Sequence, residues 1–320
     1  METTLKVVVD GIWRQGSHSL AVSLAATDGG ELPAWQPGAH IDMQLARGLT
    51  RQYSLTGSPL QTHRYLVCVA RDARSRGGSR YVHEQLRPGQ TLTISAPRNL
   101  FTLQESGQVL LLAAGIGITP LYAMAERLEA QGRPFALHYY VRNRHEVVFA
   151  EALTRAWRHG SCTIHVSAEG NSARTRLPPA LQQPGGHLYL CGPAEFMAAV
   201  TAAAKTQGWP ADCVHSEAFR PAEIAASDSA QQTFSVTLAS SGQRWPVPAG
   251  QTIARVLLAN GIDVPLSCEM GMCGACLTRV VSGDPDHQDS VQSAAEKCAP
   301  EQYIALCCSR SRSAELVIDL

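Results

Sequence analysis

Residues 267–276 read Ser-Cys-Glu-Met-Gly-Met-Cys-Gly-Ala-Cys, and no other stretch constrains the chain as tightly. Cys268, Cys273 and Cys276 stand in a C-x4-C-x2-C spacing, and an adjacent pair, Cys307 and Cys308, follows downstream. The chain has ten cysteines, and six of them (Cys68, Cys162, Cys191, Cys213, Cys298 and Cys308) are scattered or lack close partners. A disulfide framework is out of place in a chain of 320 residues without a secretory leader pattern. The other four either have a ligand role or are coincidence. A C-x4-C-x2-C run with a distant fourth cysteine is the spacing that holds a [2Fe–2S] cluster, with two thiolates per iron. Glycines and small residues between the ligands let backbone N–H groups turn toward the sulfurs, which stabilises the reduced, more negative cluster. Structural zinc is the alternative. Zinc sites use paired C-x2-4-C knuckles; here a single knuckle is present and the longer arm has no zinc rationale.

The surroundings of the loop agree with the cluster. Residues 233–239 and 244–247 read as strands joined at Ser241-Gly242, a hairpin. Residues 252–260 carry Ile253, Val256 and Leu257 on one helical face, with Gly261 as the stop. Strands at 277–281 and 315–320 complete an α+β unit. Residues 233–320 thus resemble a plant-type ferredoxin domain of β-grasp fold. The ending Cys-Cys-Ser-Arg-Ser-Arg-Ser-Ala-Glu-Leu-Val-Ile-Asp-Leu is similar to the tail of the phthalate dioxygenase reductase and vanillate O-demethylase reductase family. Spacing alone leaves Cys307 and Cys308 open as the fourth ligand. The family register, one residue and then Ser-Arg after the ligand, implies Cys307.

Two other textures precede this unit. Residues 1–102 contain short strand-like runs at 4–9, 20–25, 40–45, 64–69 and 91–95, punctuated by Pro37-Gly38 and Pro88-Gly89. That pattern predicts a small antiparallel β-barrel. Residues 103–222 alternate: strands at 109–113, 135–141, 163–167 and 187–191, helices at 120–130, 149–158 and 194–206. Alternation predicts an α/β domain, a parallel sheet with helices on both faces. Residues 223–232 are small and polar and read as a linker. The expected architecture is multidomain: an antiparallel barrel (1–102), an α/β nucleotide domain (103–222), a linker, and an α+β ferredoxin domain (233–320).

The barrel carries Arg51-Gln52-Tyr53-Ser54 at the end of a strand candidate. A flavin requires an aromatic face, a hydroxyl near the ring's polar edge and cations for phosphate, which Tyr53, Ser54 and Arg51 offer. A surface strand with Tyr and Arg is the plain alternative. Arg76-Gly77-Gly78-Ser79-Arg80 is a Gly-rich turn of the kind that binds phosphate through its N–H groups. With Ala96-Pro97-Arg98-Asn99-Leu100-Phe101 these motifs resemble the same reductase family. The resemblance implies FMN, with Arg51, Tyr53 and Ser54 flanking the ring and Gly78, Ser79 and Arg80 receiving the phosphate. FAD is the alternative.

Ala114-Gly115-Ile116-Gly117-Ile118-Thr119-Pro120 follows a strand and opens a helix. Gly115 and Gly117 admit a pyrophosphate to the backbone at a helix N-terminus, and Pro120 suits the first turn. The third glycine of the dehydrogenase fingerprint is missing. The G-x-G-x-T-P form, including Thr119, instead resembles the ferredoxin–NADP reductase superfamily. Cys191-Gly192-Pro193 after a later strand resembles that superfamily's nicotinamide segment, and Glu217 and Phe219 the segment that closes over the flavin. Cys191 also has a reading as a small buried hydrophobe. Glu169 fits the ribose of NADH, while Arg142, Arg144 and Arg174 lie on loops at the same edge. The family resemblance favours NADH.

Lys plus Arg equals Asp plus Glu, so the formal net charge is zero, which argues against nucleic acid as the partner. The apolar run at 109–114 is too short to span a bilayer, so the expected location is cytoplasmic, with no membrane partner and a monomeric state. The resemblance covers nearly the whole chain. It implies an oxidoreductase that passes electrons from NADH through FMN and a [2Fe–2S] cluster to a terminal Rieske-type non-haem iron oxygenase acting on an aromatic acid or aryl ether. The alternative is a stand-alone NADH:acceptor reductase, reducing a flavin or quinone. No side chain is expected to act as a catalytic acid or nucleophile.

Overall fold

The computed structural model describes residues 4–47, 49–73, 75–219 and 232–320. The chain forms two compact units, residues 1–219 and 220–320. The stretch expected to be a linker, 223–232, lies outside the described residues except for Gln232.

The first unit opens with an antiparallel sheet. Its strands are β1 (Thr4–Gln15), β2 (Ser19–Ala26), β3 (Ala39–Ala46), β4 (Leu49–Ser54), β5 (Arg64–Ala70), β6 (Thr91–Ser95) and the short β7 (Arg98–Asn99). The hydrogen-bonded order is β4-β3-β6-β1-β2-β5, with β7 on β3. The two ends of that path meet at a bridge between Leu55 and Val67, reinforced by Thr56 N–H donating to the Leu66 carbonyl at 2.9 Å. The sheet thereby wraps around Val22, Ile41, Met43, Tyr65, Val67 and Ile94, all fully or almost fully buried. Alternation of inward and outward side chains along twisted strands produces this closure. A helix, α1 (Gly78–Glu84), begins where the sequence reads only as a Gly-rich turn. Its seven residues include Val82 as the one large buried anchor, too little for a visible helical period.

A parallel sheet follows in the same unit, in the order β10-β9-β8-β11-β12: β8 (Val109–Ala114), β9 (Phe135–Val141), β10 (Gly160–Val166), β11 (His187–Cys191) and β12 (Val214–Glu217). Strand β8 is buried at every residue, as a central parallel strand covered on both faces must be. One face packs on α2 (Ile118–Ala130) through Ile118, Leu121, Met124 and Leu128. The other packs on α4 (Ala194–Thr206) through Val200 and Ala204, with Trp209 and Leu181. The helix expected at 149–158 is shorter, α3 (Ala150–Thr154). Phe149 is left-handed (φ 57°) and Arg155 is extended. Trp157 drops onto Phe135 edge-on at 5.2 Å, donates its indole N–H to the Leu153 carbonyl at 3.3 Å, and lies beneath the Arg155 guanidinium at 4.0 Å. That packing ends the helix a turn early.

The second unit contains β13 (Phe234–Leu238), β14 (Arg244–Val247), α5 (Ile253–Ala259), β15 (Leu277–Ser282), β16 (Pro285–Asp286), α6 (Ala294–Lys297), β17 (Tyr303–Ala305), β18 (Arg310–Ser311) and β19 (Glu315–Ile318). The main sheet runs β14-β13-β19-β15-β17, with β13 and β19 parallel at its centre. Thr252 caps α5 by accepting from the Arg255 N–H. Ile253, Ala254, Val256 and Leu257 bury one face of that helix against the sheet.

The Ser-Arg-Ser stretch after the paired cysteines is a structural clamp. Arg310 is buried, lies 5.1 Å from the Phe234 ring centroid, and donates to the carbonyls of Gln251, Gln232 and Pro248 at 2.5, 2.7 and 3.3 Å. Removing the donor leaves these acceptors short of partners, at a cost of about 1–3 kcal/mol for each that water does not reach. Arg310→Ala is therefore expected to destabilise this unit by at least about 2 kcal/mol in urea unfolding followed by cluster absorbance.

Candidate functional site

The loop between α5 and β15 is built from left-handed residues. Glu269 (φ 53°), Gly271 (φ 71°) and Gly274 (φ 75°) turn successive N–H groups inward. Met270 and Met272 donate to Cys268 Sγ at 3.3 and 3.4 Å, and Gly271 donates to Cys307 Sγ at 3.2 Å. The four thiols form one hydrogen-bonded set: Cys268 with Cys273 and Cys307, and Cys276 with Cys307. Cys268, Cys276 and Cys307 are buried and Cys273 is half-buried. Hydrogen bonds from Cys273 and Cys307 hold the Cys268 thiol low, and one from Cys307 lowers Cys276; the proton-giving Cys273 and Cys307 are raised. Negative charge can thus rest on some sulfurs but not on all four without a cation to neutralise it. This donor set fits a thiolate-ligated cluster.

Cys307 faces Cys268 and Cys276. Cys308 bonds to Cys307 and turns toward the Ala305 carbonyl, 3.9 Å away. A Cβ on Gly271 would lie 2.5 Å from Cys308 Sγ and 2.9 Å from Asp289 Cα, so only glycine fits beneath them. Asp289 is a residue the sequence reading missed. Its carboxylate accepts from Gln292 N and Nε2 at 3.0 and 3.2 Å, and the next two N–H groups, of Ser290 and Val291, donate to the Gly271 carbonyl. That turn holds the carbonyl of Gly271, whose peptide partner, the Met272 N–H, faces Cys268, and Gly271's own N–H on its other side faces Cys307. Nothing local in Gln-Asp-Ser signals it, because the contact is made across the fold.

In the barrel, β4 carries Arg51, Tyr53 and Ser54, and α1 carries Gly78, Ser79 and Arg80. The two are in contact. A Cβ on Gly78 would lie 2.5 Å from Arg51 Cγ, so the arginine stem lies over the glycine. Arg51 donates to the carbonyls of Thr50 and Arg76 at 2.7 and 2.8 Å, which holds its guanidinium beside the start of α1. At that start Ser75 Oγ accepts from the Gly77 and Arg80 N–H groups at 3.2 and 3.3 Å, and Gly77 precedes the helix in a left-handed conformation (φ 99°). Ser79 Oγ accepts from Asp72 N–H at 3.2 Å, leaving its own proton to donate. Two arginines, a hydroxyl and the first N–H groups of α1, those of Gly78 and Ser79, fit a phosphate. Burial raises the Tyr53 phenol well above its usual range, so it stays neutral.

The parallel sheet changes direction of winding between β8 and β11, which are neighbours. Both glycine motifs lie at the carboxyl ends of these two strands, the place where open α/β sheets bind ligands. Gly115 is left-handed (φ 56°), and Gly117 is packed so closely that a Cβ there would sit 2.2 Å from the Cys191 carbonyl oxygen. Thr119 Oγ1 donates to the Ile116 carbonyl at 3.1 Å and Pro120 occupies the first turn of α2. Cys191 is fully buried, and desolvation keeps its thiol well above its ordinary value, hence neutral. Gly192 adjoins Ala114 and Phe196, and Pro193 precedes α4. Glu217, beside Cys191 in register, receives a hydrogen bond from Ser54 Oγ at 3.4 Å. That contact joins the barrel residues to the crevice. Phe219 packs against the core of the parallel sheet. Arg144 is bound at 3.0 and 2.6 Å to both oxygens of Glu169, and Arg174 to Glu195 at 2.8 Å.

A thiol-lined loop on one unit and a dinucleotide crevice joined to a phosphate cradle on the other define an iron–sulfur oxidoreductase. Comparison with known proteins agrees. The 2Fe-2S iron-sulfur cluster binding domain family matches residues 236–312. Vanillate O-demethylase oxidoreductase of Acinetobacter baylyi is 41% identical over 320 residues, 99% of each chain. The phthalate 4,5-dioxygenase oxygenase reductase subunit of Pseudomonas putida is 36% identical over 322 residues, 99% of this chain and 97% of that one. The solved structure of phthalate dioxygenase reductase, a modular structure for electron transfer from pyridine nucleotides to [2Fe-2S], superposes with a TM-score of 0.75 at 33% identity, covering 99% of this chain and 98% of that one. The chain belongs to the vanillate O-demethylase and phthalate dioxygenase reductase family. Among the described residues no helix is long and apolar enough to cross a membrane.

Desolvation pushes the Glu217 carboxyl up from 4.5 to about 8, partly offset by the Ser54 hydroxyl. The folded protein then holds a proton that the unfolded chain releases above its own value. Stability from this group is full below about 4.5 and falls as pH rises toward 8. In flavin-free protein, the stability difference between Glu217→Gln and wild type should shift in favour of the variant across that window and level off above it. Urea titrations at several pH values measure this.

Proposed function

We propose that the protein is the reductase component of an oxygenase or O-demethylase system, drawing electrons from NADH and delivering them to a terminal Rieske-type non-haem iron oxygenase. The observation that carries this reading is the convergent four-thiol set, three of its members buried and Cys273 half-buried, on the same chain as the dinucleotide crevice. A flavin accepts a hydride's electron pair and releases electrons singly, and a plant-type cluster carries them one at a time at about −400 mV.

The chain's own residues position and tune. Gly115 and Gly117 allow a pyrophosphate to approach the backbone at the start of α2, and Thr119 and Pro120 shape that turn. Cys191, Gly192 and Pro193 form the opposite wall. Cys191 adds a neutral, non-reactive surface there. Arg51, Gly78, Ser79 and Arg80 bind a terminal phosphate, which favours FMN over FAD, because two cations beside the Gly78 and Ser79 N–H groups suit a group of high charge. Tyr53, Ser54, Glu217 and Phe219 border the ring. A protonated Glu217 next to Ser54 presents a hydrogen-bond donor without adding a second negative charge near a reduced flavin. The preference for NADH rests on the family resemblance; at the sheet edge Arg144 pairs with Glu169 and Arg174 with Glu195. Cys268, Cys273, Cys276 and Cys307 hold the cluster, with the N–H groups of residues 270–272 directed at the sulfurs.

Reconstituted protein is expected to reduce cytochrome c with NADH. Cys276→Ser should abolish that activity while leaving NADH-dependent reduction of ferricyanide, which takes electrons from the flavin. A stand-alone NADH:acceptor reductase would keep both activities in Cys276→Ser, and that result would contradict the proposal.

A further inference from the structure

The turn of the β1–β2 hairpin lies against the connection that follows β9, and the two bring His18, His145 and Glu146 together. One ligand atom from each residue lies within 4.8 Å of the others. We propose that these three side chains form a binding site for a divalent transition metal, with Zn2+ the ion they suit best. Two imidazoles and one carboxylate are a donor set for zinc and its neighbours, whereas magnesium and calcium prefer all-oxygen sites.

The backbone under the triad is fixed by contacts that do not involve the ligand atoms. Ser17 N–H donates to the His145 carbonyl at 2.9 Å, and Arg71 N–H donates to the His18 carbonyl at 2.7 Å. Phe149 N–H donates to Gln15 Oε1 at 2.9 Å. Gly16 is left-handed (φ 59°), and a Cβ there would lie 3.0 Å from the Glu146 backbone. The hairpin and the connection are therefore held in contact before any ion binds. Asn143 Nδ2 donates to Glu146 Oε1 at 2.9 Å, orienting the carboxylate and leaving Oε2 for a cation. The nearest guanidinium in sequence, that of Arg144, is bound to Glu169 on both oxygens and so is not drawn onto Glu146.

His18 and His145 are exposed and Glu146 is half-buried, so an ion can enter from solvent and keep water in its remaining positions. An ion bound there ties the barrel to the parallel sheet through side chains as well as backbone. The triad uses none of the residues assigned to flavin, nicotinamide or cluster.

Cu2+ added at one equivalent to the oxidised holoprotein tests the site, because the oxidised cluster is diamagnetic and leaves the copper EPR signal clear. The expected spectrum shows coupling to two imidazole nitrogens, and prior Zn2+ suppresses it. His18→Gln and His145→Gln should each lose one nitrogen. Each, like Glu146→Gln, should weaken Zn2+ binding measured by calorimetry by at least about tenfold, the lower end of what disturbing even a ligand's supporting hydrogen bond costs. Matching circular dichroism and flavin absorbance identify variants that remain folded. The proposal is overturned if wild type shows no nitrogen coupling, or if the His18→Gln/His145→Gln double variant binds copper with an unchanged spectrum.

Discussion

The contact between the Gly271 N–H and Cys307 Sγ is where the design of the second unit converges. Sulfur carrying negative charge in a buried site is stable only if donors or a cation replace its lost hydration. The chain supplies donors from consecutive peptides, and they point inward only because residues 269, 271 and 274 adopt left-handed backbone. Asp289 and its turn anchor Gly271 from behind, while Arg310 ties the tail to the hairpin end of the sheet. The loop is therefore held from behind by residues 289–291, and the tail that carries Cys307 is held by the bonds of Arg310 to residues 232, 248 and 251.

The first unit follows a related logic with backbone instead of sulfur. The parallel sheet reverses its winding between β8 and β11, and the glycine turns after both strands are pressed against each other. Gly117 has an ordinary helical backbone (φ −62°), so its identity reflects the closeness of Cys191 and not a special conformation. Across the crevice, the Ser54–Glu217 hydrogen bond links the last residue of β4 to the last of β12. Barrel and sheet thus meet at the residues proposed to border the flavin, and the carboxyl placed there is one that burial keeps protonated near neutral pH.

Much of this was legible in the sequence where a signal is local. Cysteine spacing, the glycine turns at 115–117 and 192, the strand–helix alternation and the Gly261 stop after α5 are all short-range patterns. The α/β and α+β elements follow them closely. Legibility ended where long-range packing decides. The helix expected at 149–158 stops at Thr154 because Trp157 finds Phe135 on the sheet. Helix α1 is too short for a periodic signature, and Asp289 earns its place only through contact with Gly271. The adjacent Cys307 and Cys308 show the limit most clearly. Spacing treats them alike, while the fold sets the Cys307 thiol against Cys268 and Cys276, and the Cys308 thiol against Cys307, Ser309 Oγ and the Ala305 carbonyl.

That divergence offers the most direct test of the account. Cys307→Ser and Cys308→Ser, each reconstituted with iron and sulfide, differ by one position in the chain and by which of the other three thiols they meet in the fold. Visible absorbance and the EPR spectrum of the dithionite-reduced protein report the cluster. The account predicts that Cys307→Ser loses or grossly alters the [2Fe–2S] spectrum while Cys308→Ser retains it. Loss of the cluster from Cys308→Ser alone would contradict it.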